Sequence, residues 1–260
     1  MGLVLKMSIM AAIGLGLFGV SQSPPATPAL RLDHVWIVVS PNAPERAALE
    51  RAGFHISPQL NRHDGQGTAS ITAEFYNAFL ELIWPDPTVK VDPGFERGVE
   101  KFRQRMNWRT SGWCPFGIGM ARTGDPHAPL PVPAWSIAPG WLPPGSAIEI
   151  MTPRDDAVSP SFFVSPKELN VSEADNTRIA QSNSKEAALY AHPLGVKRLT
   201  SIRLIAPKTY QPIAALSYLQ KDGIVNLDRG DQWTIELVFD GGTQKKRKDL
   251  RPDLPLLLRY

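Results

Sequence analysis

The segment Leu32-Asp33-His34-Val35-Trp36-Ile37-Val38-Val39 sets one imidazole in an otherwise apolar run. The run is rich in β-branched residues and stops at the turn cluster Ser40-Pro41-Asn42, which predicts a strand. Side chains alternate across a strand, so the pattern places Leu32, His34, Trp36 and Val38 on one face. If that face lines a cavity, His34 touches whatever the cavity holds. A second candidate is Glu81, in Phe79-Leu80-Glu81-Leu82-Ile83. It shares a face with Phe79 and Ile83, where a carboxylate is costly unless it is paired or metal-bound. His63 lies in the polar, glycine-bearing stretch Asn61-Arg62-His63-Asp64-Gly65-Gln66-Gly67. There it can act at a cavity mouth or as a general base near neutral pH.

The remaining reactive side chains give weaker signals. Cys114 is the single cysteine. It allows neither an internal disulfide nor a Cys-rich zinc site, and no cation or base beside it argues for a reactive thiol. His192 precedes Pro193 and belongs to a turn, and His55 and His127 have no partners that the sequence supplies. Trp113, Trp135 and Trp141 are available to wall an apolar pocket. Serine-nucleophile, phosphate-loop and dinucleotide fingerprints are missing, which disfavours those enzyme classes.

The elements that must position these residues follow in order. A strand over 32–39 leads to a short helix over 43–53, with Asn42 to cap its start and Gly53 to end it. Residues 54–57 read as a brief strand, 61–67 as a loop, and 68–75 and 78–84 as two strands joined through Tyr76-Asn77. Residues 93–107 read as a helix whose stripe is Phe95, Val99, Phe102 and Met106, with the charged residues between them facing water. Strands are expected over 114–120, 147–151 and 161–164, around a proline-rich loop over 124–145. A helix over 173–190 connects to a second series: strand 199–207, helix 212–220, and strands 224–227, 232–239 and 254–259. The order strand, helix, strand, strand, strand thus occurs twice. Lys245-Lys246-Arg247-Lys248 reads as a solvated hairpin loop, too short a basic run to suggest nucleic acid.

With 260 residues the chain fills one large domain or two small ones, and 43% hydrophobic content suits a packed core. The net charge of +3 is too small to point to a polyanionic partner, and the 25 prolines favour fixed loops over long bundles. The N-terminus stands apart. Lys6 precedes the uncharged run Met7 to Val20, and Ser21-Gln22-Ser23-Pro24-Pro25 follows. A basic start, a short apolar run and a small-residue exit is the secretory pattern. Residues 1–29 are therefore expected to be an export segment cleaved after Ser21, with an uncleaved membrane anchor as the alternative. The mature domain would then lie in the periplasm or outside the cell.

The doubled element order, headed by Leu32-Asp33-His34-Val35, resembles the vicinal oxygen chelate superfamily and, within it, the glyoxalase-like domain proteins. Gly65-Gln66-Gly67-Thr68 followed by Phe79-Leu80-Glu81-Leu82-Ile83 is similar to the family's glycine-threonine turn and leucine-glutamate-leucine strand. His192-Pro193-Leu194-Gly195 leading to Leu199-Thr200 is similar to its entry into a second module. The resemblance covers residues 31 to 260. It implies an α+β fold in which two paired βαβββ modules form a curved mixed sheet around a cavity, with module one over about 31–165, module two over about 192–260 and a helical connection between. It also implies a divalent metal held by a histidine on the first strand and a carboxylate on the fourth, positions matched by His34 and Glu81. In the second module the position of His34 is taken by Ser201, or by Thr200 with a register shift of one. Glu236 imitates the carboxylate one strand early. His63 or Glu74 is left as a third ligand.

Two functions follow from the resemblance. One is an exported enzyme, an isomerase, lyase or ring-cleaving dioxygenase acting on a small oxygenated substrate, with Glu81 and His63 as catalytic residues. The other is a protein of the same fold that sequesters a small molecule without chemistry. Nucleic acid is not an expected partner, homodimerisation stays open, and a membrane enters only through an uncleaved N-terminus.

Overall fold

The computed structural model describes residues 29–260, so the predicted export segment lies outside them except for its last residue. The first module comprises β1 (Leu30–Val38), α1 (Arg46–Ala52), β2 (Asn61–His63), β3 (Thr68–Glu74) and β4 (Phe79–Pro85). Next come α2 (Glu96–Met106) and α3 (Trp108–Ser111), then β5 (Phe116–Arg122), β6 (Trp135–Ile137), β7 (Ile148–Ile150) and β8 (Ser161–Val164). After α4 (Glu173–Ala180), the chain closes with β9 (Leu199–Pro207), α5 (Ala214–Lys221), β10 (Val225–Gly230), β11 (Thr234–Phe239), β12 (Arg247–Asp249) and β13 (Leu256–Arg259).

The fold is α+β, with an eight-stranded mixed sheet ordered β2-β3-β4-β1-β5-β8-β7-β6. Its two halves repeat one pattern outward from the antiparallel seam of β1 and β5: first strand, fourth, third, second. These are the paired modules, curled around a cavity as expected. The partner of the first module, however, is residues 116–164 and not the segment after residue 192. In this second half the proline-rich loop replaces the helix between first and second strands. The C-terminal segment makes its own sheet, ordered β10-β9-β11-β13-β12. There α5 returns the chain so that β10 runs parallel beside β9, a ladder that the cup halves do not contain. The same order of elements thus supports two different sheet orders.

The convex back of the cup packs on the second sheet. Val35, Ile37, Leu80, Leu82, Ile118 and Phe162 share one buried cluster with Ile202, Leu204, Ile235 and Leu237. Burial of each such side chain contributes roughly 1.5–3 kcal/mol. The concave face carries a smaller cluster, Trp36, Val38, Ile83 and Phe163, against Phe102 and Met106 of α2.

Several local expectations shift. The first helix starts later, because Asn42 (φ 64°) and Ala43 (φ 48°) adopt left-handed backbone; Glu45 accepts from the Ser40 amide and hydroxyl in place of an Asn42 cap. Residues 54–57 form no strand. Asn61–His63, read as loop, pairs with β3 as an edge strand, and Trp135–Ile137 makes the other edge inside the proline-rich loop. The helix expected to Tyr190 stops at Ala180 and resumes as a 3-10 turn over Lys185–Tyr190. The basic run is half strand: β12 begins at Arg247 and borders the second sheet, where charged side chains discourage further pairing.

Candidate functional site

The concave face encloses a cavity of about 930 Å³. β1 presents His34 and Trp36 to it, β4 presents Phe79, Glu81 and Ile83, β3 presents Thr72 and Glu74, and β2 presents His63. Register explains the grouping. His34 lies beside Phe79 and Trp36 beside Glu81 on parallel strands, while Thr72 lies opposite Glu81 and Glu74 opposite Phe79. The predicted candidates His34, Glu81 and His63, with Glu74, therefore border one cavity.

The placement of His34 depends on a β-bulge. The β1–β5 register steps from Leu32 against Met120 to His34 against Gly119, so Asp33 is the extra residue. Simple alternation fails there: Leu32 packs behind the sheet, whereas His34 faces the cavity. The bulge also brings Asp33 to its neighbour, with Oδ2 2.8 Å from His34 Nδ1. Asp33 is fully buried, and its Oδ1 accepts from the Val171 amide at 2.8 Å. A carboxylate only accepts, so Nδ1 carries the proton and Nε2 is left as the acceptor of the ring. Phe79 stacks on the imidazole at 4.3 Å, and the Phe163 ring lies 5.1 Å away at 66°. Beneath it is Gly119, where a Cβ would lie 2.6 Å from His34 Cε1. Gly117 does the same for Trp36, with a Cβ placed 1.9 Å from Cε2.

His63 and Glu81 form the second pair, with Nε2 3.7 Å from Oε1. The Thr68 hydroxyl accepts from Gln66 Nε2 at 3.0 Å and lies 2.9 Å from His63 Nδ1. With the Thr68 proton donated to Nδ1, the ring turns Nε2–H toward Glu81. Trp141, held at 3.3 Å by Gln66 Oε1, covers His63 at 5.1 Å between rings. Burial holds the His63 imidazole below its ordinary value; Glu81 opposes that shift and His34 adds slightly to it. Burial raises the Glu74 carboxyl, with Thr72 hydrogen bonding opposing and Glu81 reinforcing. Asn170, also on the cavity wall, has a buried Oδ1 with no partner among the described residues.

The remaining candidates are structural. His192 Nδ1 accepts from the His55 amide at 3.0 Å and its Nε2 lies 2.8 Å from the Glu74 carbonyl, a pattern that fits a neutral ring tying loops together. Glu236 is buried on β11 and bonds Arg203 Nε at 3.0 Å. Thr200 and Ser201 sit on β9, in the other sheet. Burial pushes the Cys114 thiol up to about 12, as suits an unreactive core residue. Trp135 and Trp141 wall the cavity, whereas Trp113 does not border it.

Sequence reasoning missed Asp33, Gly117, Gly119 and a row of cations on α2. Two glycines spaced by two in the strand beside His34 were a readable sign that large side chains cross over them. On the cavity side, the second half offers Gly117, Gly119, Ser161 and Phe163 where an equivalent donor pair would stand. Among the described residues no group of three His, Cys, Asp or Glu is arranged to hold an ion. The divalent metal expected at His34 and Glu81 is therefore not confirmed by a third converging donor among the described residues.

A curled sheet of two repeated modules, concave around a cavity with an imidazole on the first strand and a carboxylate on the fourth, defines a protein of the vicinal oxygen chelate type. The chain belongs to the family described as Glyoxalase-like domain, which matches residues 32–219 and ends within α5. No curated protein sequence matches the chain.

Proposed function

We propose that the chain binds a small organic molecule in the cup, its apolar body against Trp36, Phe79 and Phe163 and an oxygen function at His34, His63 and Glu81. One observation carries the reading: His34 and His63 and the carboxylates of Glu74 and Glu81 border a single cavity of about 930 Å³ that also presents the rings of Trp36, Phe79, Phe102, Trp135, Trp141 and Phe163. An apolar cavity with a few convergent polar groups is the usual form of a small-molecule site. The same residues support proton-transfer chemistry of the isomerase or lyase kind. Held by Asp33, His34 Nε2 offers an acceptor, and Glu81 beside a neutral His63 is placed to take and return a proton. The donor set gives no support for routing a step through a metal.

Sequestration without turnover is the second reading, supported by the lack of a third donor joining His34 and Glu81 among the described residues. Export of the mature domain completes the proposal; Lys6 and the uncharged Met7 to Val20 run support it. Calorimetric titration with 1-naphthol and naphthalene tests binding. The expected result is saturable binding of the naphthol, weakened in Glu81→Gln and abolished in Ser161→Phe, which fills the cavity wall. Equal heats in wild type and Ser161→Phe would show that the cup is not the site.

A further inference from the structure

α2 packs over β1 and β4 and borders the cavity. Its apolar stripe predicts charges turned to water; Arg97 follows that rule, but Lys101 is half-buried and Arg105 is buried. Arg97, Lys101 and Arg105 recur every four residues and all border the cavity. Like charges at this spacing repel, so the row is not there to stabilise the helix.

Arg105 is only 4% exposed. Its guanidinium donates from Nη1 to the Cys114 carbonyl and from Nη2 to the Ser159 carbonyl at 3.1 Å, and it lies 5.8 Å over the Trp36 ring. Lys101 donates to the Arg154 carbonyl. Neither cation forms an ion pair with a carboxylate among the described residues. Two acids are near: Asp155 pairs with Arg97, and Asp156, which also borders the cavity, accepts from the Ser159 amide at 2.9 Å and hydrogen-bonds neither Lys101 nor Arg105. Burial holds the Lys101 ammonium below its ordinary value, with Arg105 and Arg97 adding to the effect and Asp155 and Asp156 opposing it. Two cations near the Trp36 ring, hydrogen-bonded only to neutral carbonyls and in no ion pair, leave N–H donors and positive charge for a bound anion. A buried charge is normally matched by an opposite one.

We infer that this wall is an anion seat: Lys101 and Arg105 hold the single carboxylate or sulfonate head of an amphipathic organic acid whose body lies over Trp36. The inference rests on the small-molecule reading of the same cavity and narrows its ligand to an anion.

A matched pair of dyes separates the two claims. 8-Anilino-1-naphthalenesulfonate and N-phenyl-1-naphthylamine share one ring skeleton and differ in the sulfonate. Fluorescence titration of the full chain should show the sulfonate dye bound about tenfold more tightly than the neutral dye. Lys101→Met should weaken the sulfonate dye by about tenfold, the loss of one charge-assisted hydrogen bond, and leave the neutral dye within about twofold. Lys221→Met, on α5 away from the cavity, controls for net charge and should change neither. Arg105→Met removes ties to two loops and can unfold the chain, so Lys101→Met carries the test. If both dyes bind alike, or Lys101→Met weakens them equally, the anion seat is wrong while the cup remains a binding site. If Ser161→Phe leaves both dyes bound, or neither dye binds the wild type, the small-molecule reading falls with it.

Discussion

Replacement of Asp33 by asparagine alters one atom of a fully buried side chain and tests what orients His34. Asp33 accepts two hydrogen bonds, each 2.8 Å long, from His34 Nδ1 and from the Val171 amide. Bonds to a charged group contribute about 1.5–3 kcal/mol each. The substituted carboxamide would keep one acceptor for Val171 but turn an NH2 toward Nδ1. The imidazole would then accept at Nδ1 and carry its proton on Nε2, reversing what it offers to the cavity. Asp33→Asn should lower stability by about 1–3 kcal/mol. Asp33→Ala loses both bonds, leaves the Val171 N–H bare, and should lower it by about 3–5 kcal/mol. Urea unfolding followed by circular dichroism measures both losses, and long-range ¹H–¹⁵N spectra of the imidazole report the tautomer. An Asp33→Asn protein within about 0.5 kcal/mol of wild type, with the proton still on Nδ1, would refute the reasoning.

Gly119→Ala would press a Cβ to 2.6 Å from His34 Cε1 while Phe79 stacks at 4.3 Å, so the ring cannot simply retreat. A loss of about 1–3 kcal/mol is expected, with Gly117→Ala more severe at 1.9 Å from Trp36; unchanged urea midpoints would contradict this packing. His63 is held by burial below the usual value of 6.5, so the unfolded chain takes its proton first on acidification. Its stabilisation is present above about pH 6.5 and is lost as pH falls through the depressed folded value. The wild type should therefore lose more stability than His63→Asn between pH 7 and about 5, and parallel urea curves would rule this out. Glu74 works oppositely: its raised folded value gives stability that is present below about pH 4.5 and lost as pH rises through the folded value. N-terminal sequencing of protein from the envelope fraction should begin at Gln22. An intact Met1 on soluble cytoplasmic protein would rule out export, and an intact Met1 on membrane-bound protein would support the anchor.

The sequence by itself determined the local grammar. Alternation and β-branching marked β1, β3, β4 and β9, and Gly53, at φ 98°, ended α1 where its freedom of φ was needed. The same local patterns marked His34 and Glu81 as polar intrusions in apolar rows, and both border the cavity. These properties belong to a few neighbouring residues, so a linear reading reaches them. Pairing does not. The partner of β1 was fixed by what fits against His34 and Trp36 across the seam, and glycines more than 80 positions away supply that space. The two βαβββ-like orders carry no record of which ladder each will form, because the choice depends on burying one sheet's back against the other. The bulge at Asp33 broke the alternation rule at the residue that orients the site. Arg105 broke the amphipathic rule on α2, because carbonyls of Cys114 and Ser159, remote from its helical turn, accept its protons. Where a side chain's partner lies far along the chain, only the folded structure decides whether a charge meets water or a cavity.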